Sequence, residues 1–285
     1  MATFTWTGSA GDGDHNNTAN WLGGTVPSGT GPHVINFDRG NYSITTNIDA
    51  ASVTYAISAL NITAGFGGSI GSTAAAYTTA SGKDITQILC AGRGQFYKIG
   101  SGGNVGTSLA NRCQVSISAG TQFVMSSGTW QYFFQQGGTL LAEAAAVVST
   151  KCALTGVQAL LQTNATAVTL LEVDAASDVT TYRSGTAAIA NAASTIRTVG
   201  SAALATGTFY NSTFNVANTS ATTHTTVDLW SGSNMSLSNC AASPTVTNLY
   251  QRKGATYDTN GAGVTLTITN LYPLFAGNAG GDSPA

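Results

Sequence analysis

The amino-acid sequence predicts an all-β fold wound as a parallel β-helix, a solenoid of stacked coils, and three observations carry that prediction. Only 8% of the 285 residues are charged, while Gly, Ala, Thr, Ser and Asn interleave with short apolar runs. Thr, Val and Ile suit a pleated surface, Gly and Asn suit turns, and few positions offer the Glu, Lys or Arg that solvate exposed helix faces. From Leu140 onward the apolar runs centre near Leu140, Leu160, Val179, Ile196, Phe214, Val246 and Val264. Apart from the longer gap between Phe214 and Val246, the steps of about 17 to 20 residues match a coil of two or three short strands plus turns, each coil burying the next. Finally, 42% hydrophobic residues with 10 Tyr, 10 Phe and 4 Trp supply a core that disordered Ser/Thr/Gly-rich chains lack.

Taken in order, residues 1–40 read as a cap or lead-in, holding two of the four tryptophans, two of the three histidines and two of the five prolines. Residues 41–272 read as the solenoid body. Strand-like runs recur there at 42–48, 52–57, 85–90, 114–117, 122–125, 129–134, 168–173, 179–182, 195–199 and 264–268, punctuated by Gly, Asn or Ser-Gly. Two Ala-bearing stretches, 140–148 and 187–193, leave a short helix open as an alternative. Ala is the best helix former, yet neither stretch has the flanking charges or the 3.6-residue stripe of a surface helix, and small side chains also fit tight solenoid corners. The last run alternates apolar and polar residues as a half-buried strand does. Residues 273–285, rich in Gly, read as an exposed tail or contact arm.

The lead-in has an internal logic. Trp6 and Trp21 flank a loop carrying Asp12, Asp14, Asn16, Asn17 and Asn20. Asn and Asp side chains satisfy the backbone of such a loop, and two indoles can clamp it while burying a large area. Val34, Ile35 and Phe37 then open a strand. The segment Trp6-Thr-Gly8, Asn20-Trp21 and Pro27 resembles the Trp-x-Gly…Asn-Trp…Pro lead-in of bacterial autotransporter-like and exported β-helix repeat proteins and of some bacteriophage virion proteins. The resemblance covers residues 4–37 and implies a right-handed parallel β-helix behind a cap, an architecture of adhesins, spikes and decoration proteins rather than an activity. Secreted members carry a signal peptide; residues 1–17 have no cationic start followed by an apolar stretch, so secretion by that route is not expected here.

Composition excludes several classes. A net charge of −2 leaves no basic stripe to neutralise phosphates, so nucleic acid is not an expected partner. No run of 18 apolar residues occurs, which argues against a membrane span. Cys90, Cys113, Cys152 and Cys240 form no Cys-x-x-Cys pair and read as buried free thiols. The Gly-rich patch at 100–106 lacks the Lys of a phosphate cradle, and no Walker-type loop or dinucleotide fingerprint is present.

Asp12, Asp14 and Asn16 have the alternate spacing of a calcium loop, but Asn17 stands where Gly is needed and Gly23 where Glu is needed, so a self-capping loop is expected and no metal or cofactor is assigned. Glu172 and Asp174, two apart in a strand-like run with Asp178 nearby, are the one carboxylate pair suited to glycoside hydrolysis; solvent-facing positions on an exposed sheet explain them equally. His15, His33 and His224 are scattered and read as structural. Trp130, Tyr132 and Phe134, expected on one face of a strand with Phe133 on the other, form a possible interface or glycan-stacking platform beside Phe123. Core packing and a subunit interface compete with that reading.

The expected function is that of a structural virion protein of a tailed bacteriophage, a capsid decoration or spike, without catalysis. Its expected partners are further copies of itself in a homotrimer, the major capsid or other virion proteins, and a host surface glycan. Such proteins are made in the host cytoplasm without a signal and need durability more than chemistry. The competing readings are a glycan-binding adhesin or receptor-binding fibre, and a β-helix polysaccharide depolymerase using Glu172 and Asp174.

Overall fold

A computed structural model describes residues 1–161, 171–174, 195–200, 203–237, 240–261 and 263–274. Among these residues the chain is all-β, with one short 3-10 turn at Thr18–Asn20. Strands stack in parallel, coil upon coil, into the predicted β-solenoid. One column starts at Thr3–Thr5 and His33–Phe37, continues through Ile57–Ile62, Ile88–Cys90 and Cys113–Ser116, and ends at Thr245–Arg252 and Thr267–Leu274. Residues 1–40 thus supply the first two strands of the ladder that runs the length of the body.

Parallel register puts like against like. Ile35, Leu60, Ile88, Cys113, Phe133 and Cys152 are successive register partners and all are buried, so this row fills the lumen. A second buried row runs Tyr97, Phe123, Leu140, Ala159, Ile196, Phe214 and Met235. Fully burying each Phe or Ile contributes about 1.5–3 kcal/mol, so the lumen dominates stability. Coil length is not uniform. Hydrogen-bonded neighbours on adjacent coils are 25 residues apart at Asn36 and Asn61, 18 at Thr121 and Thr139, and 22 at Asn248 and Asn270.

The Ala-bearing stretch at 140–148 is not helical: it lies inside the strand Thr139–Thr155, paired on one side with Gln122–Gln136 and on the other with Gln158–Leu161 and Leu171–Asp174. Two neighbouring coils supply its hydrogen bonds, which overrides intrinsic propensity, and Ala142 and Ala146 point their small side chains into the lumen. The other Ala-bearing stretch, 187–193, and the expected strand at 179–182 lie outside the described residues, as do residues 275–285.

At the N-terminal end the tryptophan clamp forms as the loop chemistry predicts. The Trp6 and Trp21 rings meet edge to face with centroids 5.2 Å apart. Trp6 Nε1 donates to the Tyr42 carbonyl at 2.9 Å and Trp21 Nε1 to the His15 carbonyl at 2.7 Å, so both indoles are buried with their N–H groups satisfied.

Candidate functional site

The column that begins at Thr3–Thr5 turns a row of side chains outward, and candidate chemistry is concentrated along it. Register carries this row through Asn36, Asn61, Leu89, Gln114, Phe134 and Ala153, and later through Thr208, Asp228, Tyr250 and Tyr272.

The three residues expected to share one aromatic face are separated by a corner. Trp130 pairs with Val105 and Val148, packs edge-on against Phe123 and Phe133 at 6.0 and 5.8 Å, and is fully buried in the lumen. Phe134 belongs to the next flat stretch, where it is buried on the outer side among Ala153, Tyr132 and Tyr210, and Tyr132 is half-buried at the corner. Simple alternation fails here because the strand Gln122–Gln136 bends, its register with Thr139–Thr155 shifting between Trp130 and Tyr132. Gly106 seats that corner: its φ is +65°, and a Cβ there would lie 2.5 Å from the Tyr132 carbonyl oxygen.

At the N-terminal end of the row an open groove of about 680 Å³ crosses four coils. Asn36, Asp38, Asn61, Thr63, Leu89 and Gln114 line it. Asn61 Nδ2 donates to Asn36 Oδ1 at 2.9 Å, and Arg112 Nε donates to Gln114 Oε1 at 3.1 Å, so two amides are oriented. Thr63 Oγ1 donates to the Asp38 carbonyl at 2.7 Å. The Asp38 carboxylate accepts no hydrogen bond among the described residues: Oδ1 is buried without a donor, and Arg39 Nε, on a side chain 85% exposed, is 3.6 Å from it, beyond hydrogen-bond reach. Leu89 is 42% exposed in the middle of this polar row.

At the C-terminal end the same face carries a different ladder. Arg252 donates from Nε and Nη2 to Asp228 at 3.1 and 2.9 Å, and Trp230 Nε1 donates to the same carboxylate at 3.1 Å. The guanidinium lies 3.8 Å from the Trp230 ring centroid, while Tyr210 covers Trp230 from the preceding coil at 4.8 Å. Tyr250 and Tyr272 stack at 4.6 Å and 12°. These faces are spent on one another, so this ladder fastens coils together. Sequence reading missed it because its members lie on successive coils.

The remaining candidates resolve as follows. In the N-terminal loop Asp12 accepts from the Asp14 N–H at 3.0 Å, from Asn17 Nδ2 at 2.6 Å and from Asn20 Nδ2 at 2.5 Å; these bonds, the first above all, hold its carboxyl below the usual carboxylate range. Asp14 accepts from the Asn16 N–H and Asn47 Nδ2. The loop caps itself, and among the described residues no cluster of three or more His, Cys, Asp or Glu is placed to hold a metal. The strand Leu171–Asp174 takes its place in the column, but the side chains of Glu172 and Asp174, and all of Asp178, lie outside what is described.

All three histidines are buried. His15 Nε2 shares a hydrogen bond with the Tyr55 hydroxyl at 2.9 Å, which meets the Tyr77 hydroxyl at 2.9 Å, and burial depresses the His15 pKa while raising both tyrosines. His33 Nε2 bonds the Ser28 carbonyl at 2.8 Å. The four cysteines are buried and form no disulfide with one another; burial pushes the Cys90 thiol up to about 12 and Cys113 also upward, which makes these two inert. An ion pair unforeseen from sequence, Lys98 Nζ to Glu143 at 2.8 Å, reaches across the intervening strand Gln122–Gln136 and is completed by Ser126 Oγ and the Thr73 carbonyl.

No family model, curated protein or solved structure matches the chain. Among the described residues no helix is long and apolar enough to cross a membrane.

Proposed function

We propose that the chain is a non-catalytic structural component of a tailed-bacteriophage particle, a decoration or spike solenoid that works as a homotrimer against other virion proteins. The observation that carries this reading is the continuity of the lumen among the described residues. Its rows of buried Ile, Phe, Val, Cys and Met side chains pass from coil to coil, so each coil derives its stability from its neighbours and the shaft resists local opening. The Trp6, Gly8, Trp21 and Pro27 lead-in, similar to that of some virion β-helices, supports the same reading. Sparse charge also lets copies pack closely side by side.

Mass spectrometry of purified particles tests it: the chain should appear in a fixed ratio to the major shell protein, and absence from every particle refutes the assignment. Light scattering tests the assembly, which should show three times the 28.8 kDa of one chain. A monomer at micromolar concentration removes the trimer.

A further inference from the structure

We propose that the groove across Asn36, Asn61, Leu89 and Gln114 is a binding site for a neutral saccharide. This goes beyond the structural role above and does not depend on it. The groove lies on the face of the sheet and not at its edge, so at Asn36, Asn61, Leu89 and Gln114 the parallel ladder has already paired the backbone and side chains face the ligand. An extended peptide therefore finds no strand to extend. Its volume of about 680 Å³ is that of a small-molecule site, larger than an ion requires.

The lining selects the chemistry. Asn36, Asn61, Gln114, Thr63 and Ser116 are neutral groups that both donate and accept, as sugar hydroxyls do. The one charged side chain that lines the groove is Asp38; Arg39, at 3.6 Å from Asp38, and Arg112, bound to Gln114, lie outside the lining, so a phosphate, sulfate or uronate meets the carboxylate with no cation in the lining to offset it. That carboxylate accepts no hydrogen bond among the described residues, its only charge partner there being the exposed Arg39 at 3.6 Å, and its side chain is 35% exposed. The terminal torsion of Asp is broad, so a hydroxyl entering the groove can be met by either oxygen in a short charge-assisted bond. Leu89, 42% exposed, with Ala64 and Ala91, offers an apolar patch between the polar groups. A pyranose ring has this same division, an apolar C–H face rimmed by hydroxyls. A nucleobase would instead call for an aromatic ring to stack on, and none lines the groove.

The test is calorimetric titration of the full chain with neutral gluco-, galacto- and manno-oligosaccharides of two to six residues, beside a uronate and a sulfated oligosaccharide. At least one neutral series should bind, the acidic ones more weakly. Asp38→Asn, which keeps the shape, and Asn61→Ala should each weaken binding about tenfold or more. Tyr250→Ala, outside the groove, should leave it unchanged, and circular dichroism with a melting curve confirms that each variant is folded. The proposal is overturned if no neutral oligosaccharide binds at millimolar concentration, if the acidic ones bind as well or better, or if folded Asp38→Asn and Asn61→Ala both bind like the parent.

Discussion

Acid should loosen this solenoid through one buried imidazole. His224 is fully buried; its Nδ1 accepts the Leu204 N–H at 3.2 Å, the edge of its ring meets Phe214 at 5.3 Å, and Nε2 is buried without a partner among the described residues. Burial lowers its pKa to about 4, against 6.5 in the unfolded chain. Protonation in place would set an N–H at Nδ1 against the N–H it now accepts. Above pH 6.5 both states are neutral at this site and nothing is lost. As pH falls from 6.5 to 4 the unfolded chain takes up a proton that the folded chain refuses, so stability falls through that window and levels off below it. At pH 4.5 the loss is on the order of 2–3 kcal/mol. His15, also depressed by burial, adds to the loss in the same direction. Urea unfolding at pH 7.5 and 4.5 measures the sum, and His224→Gln, whose side-chain oxygen can still accept from Leu204, isolates this site. Equal stability of the parent at both pH values, or an undiminished acid loss in His224→Gln, refutes the reasoning.

Three further outcomes follow from the packing. Trp130→Ala should cost about 3–5 kcal/mol in urea unfolding, as expected for a large ring removed from a closed lumen; a change below about 1 kcal/mol would mean the ring is not enclosed. Tyr55→Phe leaves the ring in place but strips the hydroxyl that joins His15 to Tyr77, and should cost about 1–3 kcal/mol, with wild-type stability counting against the network. In the native protein at pH 8 all four thiols should stay unreactive toward an aromatic disulfide reagent and react together in denaturant; prompt native labelling of any of them contradicts its burial.

The fold was legible because a solenoid repeats its signal. Ile196 and Phe214, two of the apolar centres picked from the sequence, are direct register partners, and Leu140 pairs with Ala159 beside the expected Leu160. The tryptophan-clamped loop was legible for a local reason, since Asp12, Asp14, Asn17 and Asn20 satisfy backbone and side-chain groups a few residues away. In the N-terminal half the period was hidden because coils there are longer, with 25 residues between Asn36 and Asn61. Alternation also misplaced Trp130, since a period of two holds only while a strand stays straight, and the bend before Tyr132 brings Trp130 and Phe133 to the same inner side.

The groove could not be read from sequence for a more general reason. Asn36, Asn61, Leu89 and Gln114 become neighbours only through register, each separated from the next by a full coil, and no window along the chain brings them together. Once the register is known, the outer row divides by chemistry. Toward the C-terminal end Arg252 is spent on Asp228 and Trp230, and Tyr250 on Tyr272, so the strongest polar and aromatic contacts there close on themselves. Toward the N-terminal end Asp38 accepts no hydrogen bond among the described residues, with only the exposed Arg39 near it, and Leu89 is 42% exposed. Interactions satisfied within the chain hold coils together, while unsatisfied ones on an exposed concave surface are available to a ligand. Recognition therefore belongs at the amide end of this face and mechanical cohesion at its aromatic end.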